Sequence, residues 1–212
     1  MYLIDSSYFI KELSIPNINE MDSDNLDILN QYIDKYSRQL LQTVLGYDLF
    51  KVLDSNITAG VLNAGAPQKW LDLVNGAEYT KDGKTYKWKG LLHTEGLFKG
   101  SLLATFVFYN WFKDNVTTVT GTGEKSIKAF NSETVNSNQR LVTVWNDFVS
   151  EYQGNNTRFP TVWYKGNTKV IDWFGSGENL GYVSLIQYLS DKESDFSNAN
   201  LYIYNNQNQF GL

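Results

Sequence analysis

The sequence predicts a mainly α fold, a helical bundle of about four to five helices with a β-hairpin insertion and a C-terminal segment of short strands. Three observations lead there. Apolar residues recur at helical spacing through 26–44 and 141–152, and 102–112 is apolar on nearly every face. Asp82-Gly83 stands between two runs rich in Tyr, Thr and Lys, which is the pattern of a two-residue hairpin. Residues 154–212 break into short runs and turns around one apolar helical stretch.

Taken in order, residues 1–21 read as an irregular arm containing Pro16 and several Asn. Asp22-Ser23-Asp24 supplies capping oxygens and negative charge for a first helix carrying Leu26, Leu29, Ile33, Tyr36, Leu40 and Val44. Gly46 is placed to stop it, and 47–53 reads as a short second helix. Pro67 opens a third, with Trp70, Leu71 and Val74 before Gly76. The hairpin occupies 77–89. The longest and most apolar helix is expected from about Thr94 to Asn115, and a helix apolar all round belongs at the centre of a bundle. A polar Gly/Thr loop fills 116–137, with extended pairing expected around 126–130. Leu141, Trp145, Phe148 and Tyr152 mark a helix over 138–152, and 183–189 a final one. The helical domain spans 1–153, and 154–212 form an extension that packs on it or on a neighbour.

Composition removes several function classes. There is no cysteine, hence no disulfide, thiol nucleophile or thiolate metal site, and a reducing compartment is the natural setting. A net charge of -5 argues against a surface that grips duplex DNA. The first residues carry no basic run of the signal-peptide kind, and 102–112 is too short to span a bilayer. His93 is the one histidine, so multi-histidine metal sites are excluded, and no G-x-S-x-G element accompanies it.

Other motifs fail on their chemistry. Gly121-Thr122-Gly123-Glu124-Lys125-Ser126 resembles a phosphate loop, but Glu124 replaces the glycine before the lysine and would repel phosphate. Gly175-Ser176-Gly177 through Gly181 lacks the third glycine at its position and has too little chain after it for a nucleotide-binding sheet. Asp22, Asp24 and Asp27 lack the glycine and glutamate of a calcium loop and serve better as helix-capping acids. A carboxylate pair for glycoside hydrolysis could come from distant positions, but nothing singles out Glu95, Glu151 or Asp172. No cofactor is expected.

Six tryptophans and fourteen tyrosines then carry the functional reading. Exposed aromatics stack on sugars or anchor protein interfaces, and Trp88, Trp163 and Trp173 are open to either use. Tyr79, Tyr86 and Trp88 lie on a hairpin too small to be stable alone, and alternation puts Tyr86 and Trp88 on one face, which is expected against a neighbouring subunit or ring. Tyr202 and Tyr204 share one face of the C-terminal run, with Phe210 and Leu212 as terminal anchors. That tail either adds a strand to a neighbour's sheet edge or forms an edge of its own domain.

The order of elements resembles a known family. Tyr2-Leu3-Ile4-Asp5 and Tyr8-Phe9-Ile10-Lys11-Glu12-Leu13 precede a helix with Leu29, Tyr32, Ile33, Tyr36, Ser37, Leu40 and Leu41, which runs into Leu45-Gly46-Tyr47 and Leu49-Phe50. The aromatic helix 102–112, a Gly/Thr loop and a helix with Val144-Trp145-Asn146 follow. Over roughly residues 1–153 this is similar to the head–tail connector (adaptor, or ring) proteins of tailed bacteriophages, especially those of Bacteroidetes and crAss-like phages. The resemblance implies a structural virion protein without catalysis, in a ring usually of twelve copies at the portal–tail vertex. Its partners would be further copies of itself, the portal protein and adjacent tail or ring proteins. DNA would pass through the channel without specific binding, and no membrane is involved. A carbohydrate-binding module of a phage tail and a hydrolase with an unrecognised carboxylate pair are the alternatives from other classes.

Overall fold

The computed structural model describes residues 3–95, 98–115, 117–120, 123–126, 137–154, 162–164, 167–169 and 183–207. The fold is mainly α, and among these residues there are five α-helices and five separate two-stranded antiparallel hairpins.

Helix α1 (Ser23–Ser55) starts where Asp22 accepts the Asn25 N–H on its carboxylate at 2.8 Å, so the acids at this end cap a helix as their pattern indicates. Gly46 interrupts it at φ 76° and ψ 166°, leaving two helical pieces joined by a kink. A side chain there would be strained by the positive φ and would meet the Asn198 carbonyl at 3.2 Å. Strands β1 (Ile57–Thr58) and β2 (Val61–Leu62) follow, turning at Ala59 and Gly60 with φ of 50° and 84°. No turn signal in the sequence marks that hairpin. Helix α2 (Gln68–Asn75) has Pro67 as its N-cap and Gly76 as its C-cap.

Strands β3 (Ala77–Lys81) and β4 (Lys84–Trp88) pair in the expected register, with Asp82 and Gly83 both at positive φ. The following stretch departs from expectation. Instead of a helix from Thr94, the chain makes β5 (Leu92–Glu95) and β6 (Phe98–Ser101), and helix α3 (Leu102–Asn115) starts at Leu102. Ser101 explains the start: its hydroxyl accepts the N–H groups of Leu103 and Ala104 and donates to the Leu91 carbonyl at 2.8 Å.

Strands β7 (Thr117–Thr120) and β8 (Gly123–Ser126) pair several residues earlier than expected. Helix α4 (Ser137–Gln153), strands β9 (Val162–Tyr164) and β10 (Asn167–Lys169), and helix α5 (Leu185–Asp191) complete the order.

Helix α3 packs against both α1 and α4, the central place its composition indicated. One apolar cluster joins the N-terminal arm through Leu3, Ile4, Phe9 and Ile15, the helices, the β3–β4 hairpin, and Leu185, Tyr188, Leu189 and Phe196. Helix α5 therefore shares the core of the rest of the chain.

That sharing corrects the expectation for the hairpin. Its aromatic face does not await a neighbour, because α5 of the same chain covers it. Tyr79 and Trp88 are 8% and 4% exposed, and Tyr86 is half-buried against the same cluster. Trp88 stacks on Tyr188 at 5.6 Å and donates its indole N–H to the Leu73 carbonyl. Tyr79 stacks on Tyr86 and meets Tyr188 edge-on at 5.8 Å. The edge of β4 is tied as well, since Val183 donates its N–H to the Lys87 carbonyl.

Candidate interaction site

Helix α4 holds both terminal arms of the chain. Near its start the Arg140 guanidinium donates to the carbonyls of Glu12 and Ser14 while lying 4.9 Å from the Phe108 ring centroid. The planar fork can bond carbonyls with its edge while its face covers an aromatic ring.

The C-terminal arm is held differently. Asn146 and Gln153 are seven residues apart, which puts them on one face of α4, separated by about 10.5 Å along its axis. Each uses its side-chain amide as a strand would use its backbone. Gln153 accepts the Tyr204 N–H and donates to the Tyr204 carbonyl, both at 2.9 Å. Asn146 accepts the Gln207 N–H at 2.8 Å and donates to the Gln207 carbonyl at 2.9 Å. Three residues of extended chain cover about 10 Å, so the two spacings match. Trp145 donates its indole N–H to the Asn205 carbonyl, and the Tyr109 hydroxyl accepts from the Gln207 side chain.

Tyr204 fills the apolar floor between these clamps. Its ring lies 5.0 Å from Tyr152, 5.3 Å from Phe148 and 5.5 Å from Trp145, all three edge-on. The arm is thus neither an edge strand of its own domain nor a strand added to a sheet. Its main chain is read by helix side chains. Tyr202 stays 50% exposed and Leu201 and Ile203 are exposed with it, while Phe210 and Leu212 lie outside the described residues.

A second polar knot fastens α5 to the hairpin. The Asp191 carboxylate, its side chain 3% exposed, accepts from the Tyr79 hydroxyl at 2.6 Å, from Lys81 Nζ at 2.6 Å and from Gln187 Nε2 at 2.7 Å. A buried carboxylate needs this number of donors to offset its lost hydration.

The remaining sequence candidates fall elsewhere. His93 lies on β5 beside a shallow recess lined also by Glu78, Lys87 and Lys89, and it does not start a helix. Trp88 is buried and so cannot stack on a sugar. Trp173, Asp172 and the glycine run 175–181 lie outside the described residues, as do the side chains of Trp163, Glu95, Glu124 and Lys125. Among the described residues no helix is long and apolar enough to cross a membrane. Comparison with protein-family models, with curated proteins and with solved structures found no match to the chain.

Burial raises the phenol pKa of Tyr79, Tyr152, Tyr188 and Tyr204, with the Asp191 bond adding to it at Tyr79, and Tyr204 is pushed up to about 12. An unfolded tyrosine ionises near 10.0. The stability these phenols lend is therefore complete below that pH and is lost as pH rises from there towards the folded values. The loss reaches at most about 1.4 kcal/mol per pH unit for a fully buried phenol, and less for the half-exposed Tyr204. Denaturant midpoints are expected to stay level up to pH about 9.5 and to fall steeply above it. A midpoint unchanged through pH about 11.5 would show that these rings are hydrated in the folded chain.

Proposed function

We propose that this chain is a structural assembly protein, a ring component between the portal and the tail of a tailed bacteriophage, continuing the DNA channel. The observation that carries the reading is the C-terminal arm, which α4 holds by main-chain and aromatic contacts on the outside of a helical core, with Leu201, Tyr202 and Ile203 exposed. A ring needs two different patches on each subunit. A surface-laid C-terminal arm beside a helical body supplies one such patch distinct from the body's own surface. The likeness of residues 1–153 to connector proteins supports the same role, as does the net charge of -5, which would let a duplex pass without sticking.

The predicted partners are further copies of the chain, usually twelve to a ring, with the portal above and tail or ring proteins below. The role proposed for the chain is assembly without catalysis. The test is imaging of intact virions by electron microscopy with this chain traced or labelled. A ring of this chain at the portal–tail vertex is the expected result, and particles lacking it there would overturn the reading.

A further inference from the structure

We propose that segment 201–207 is an exchangeable strap, which leaves its own groove on α3 and α4 and takes the same groove on a second copy of the chain. The inference rests on the assembly reading above only in requiring that copies of this chain meet. It does not depend on a phage, a portal or a tail.

The strap is superficial. Beyond Phe196, which is buried and packs against Trp70 at 5.6 Å, no residue described up to Gln207 is buried. The body of the fold is complete without it, apart from the half-buried Tyr204 ring over Phe148 and Tyr152. Its grip is also concentrated. The chain is fixed at Phe196 and by Lys69 Nζ on the Asp195 carbonyl, and the clamps begin again at Tyr204. Between them Leu201, Tyr202 and Ile203 are 40%, 50% and 57% exposed, in backbone of no regular structure. This is the placing expected of a hinge.

The bonds themselves do not care which chain supplies the strap. Asn146, Gln153 and Trp145 pair with main-chain groups, so an identical segment from a second copy regains every bond that leaving its own groove breaks. What remains is the difference between the local concentration of a chain's own strap and that of its neighbour's. A short tether holds its own end at an effective concentration in the millimolar range. Free subunits at micromolar concentration therefore keep the strap at home, and crowded or adjoining subunits exchange it. Five residues from Ala199 to Tyr204 reach about 17 Å at full extension, so exchanging copies must bring one groove within that distance of the other's Ala199.

The chain has no cysteine, which gives a clean test. The double variant Asn146→Cys with Gln207→Cys in one chain should close an internal disulfide, confirming the register. Two differently tagged single variants, Asn146→Cys and Gln207→Cys, are then co-refolded at about 1 mM in a glutathione buffer. A disulfide-linked heterodimer several-fold above that from a control pair, Lys84→Cys with Gln207→Cys, is the expected result. Heterodimer at the control level overturns the exchange, and a double variant that fails to close overturns the docking on which it stands. Since purified chain alone is used, neither outcome bears on whether the protein sits at a portal vertex, which imaging decides separately.

Discussion

Trp88→Ala should destabilise the isolated subunit by about 3–5 kcal/mol, close to a third or more of the stability of an ordinary domain. The indole is buried, stacks on Tyr188 and donates its N–H to the Leu73 carbonyl, so truncation opens a cavity and removes one of the two donors that carbonyl has, the Leu91 N–H remaining. Replacing 78–88 with a Gly/Ser loop should go further and unfold the subunit. It removes the Lys87 carbonyl that Val183 uses and the two hairpin donors to Asp191. Chemical denaturation of Trp88→Ala beside Lys84→Ala at the exposed hairpin tip is the measurement. Equal midpoints for the two would mean that the hairpin stands free of the body.

Gly90→Ala should cost about 3 kcal/mol or more, although it adds one methyl group. Gly76 and Gly90 cross back to back, at φ of 91° and 95°. A Cβ on Gly90 would lie 2.6 Å from the carbonyl carbon of Asn75 and from the Gly76 nitrogen, and one on Gly76 would lie 2.6 Å from the Lys89 carbonyl oxygen. Backbone cannot turn aside as a side chain can, and positive φ adds strain of its own. This crossing sets the end of α2 against the end of β4, and Leu91 seals it by donating to the Leu73 carbonyl at 3.1 Å. Gly65→Ala, with open space around the glycine, is the matched control, and circular dichroism melts of the two should separate clearly.

Much of the fold was legible because local chemistry and final structure agree. The capping Asp22, the break at Gly46, the Asp82-Gly83 turn and the apolar stripe of α4 each act within a few residues. The start of α3 was hidden because Leu97 and Phe98 extend the helical apolar pattern backwards, although Phe98 sits in β6. Ser101, a good capping residue directly before Leu102-Leu103-Ala104, was the signal that could have placed it.

The clamps were less accessible. Asn146 and Gln153 read as ordinary polar positions on an amphipathic helix, and their role appears once the tail is laid across them. A pair of amides seven apart beside Trp145 and Tyr152, in a chain that ends in an amide-rich run, was the available hint. The hairpin aromatics misled for the same reason. Their alternation was plain in the sequence, while the identity of what covers them, an α5 some hundred residues later, was not.

The matched spacing of Asn146 and Gln153 with Tyr204 and Gln207 also bears on how such a chain can change over generations. The two clamps and Trp145 grip main-chain groups of the arm, so the side chain of Asn205 is not what they read, while Tyr204 is held by its ring and Gln207 also by its side-chain amide. Inserting a single residue between Tyr204 and Gln207 would shift one grip by about 3.3 Å against the other and break the fit. Selection on this arm therefore acts on its length between the two grips as well as on Tyr204 and Gln207, so that an insertion there is tolerated less than a substitution at Asn205.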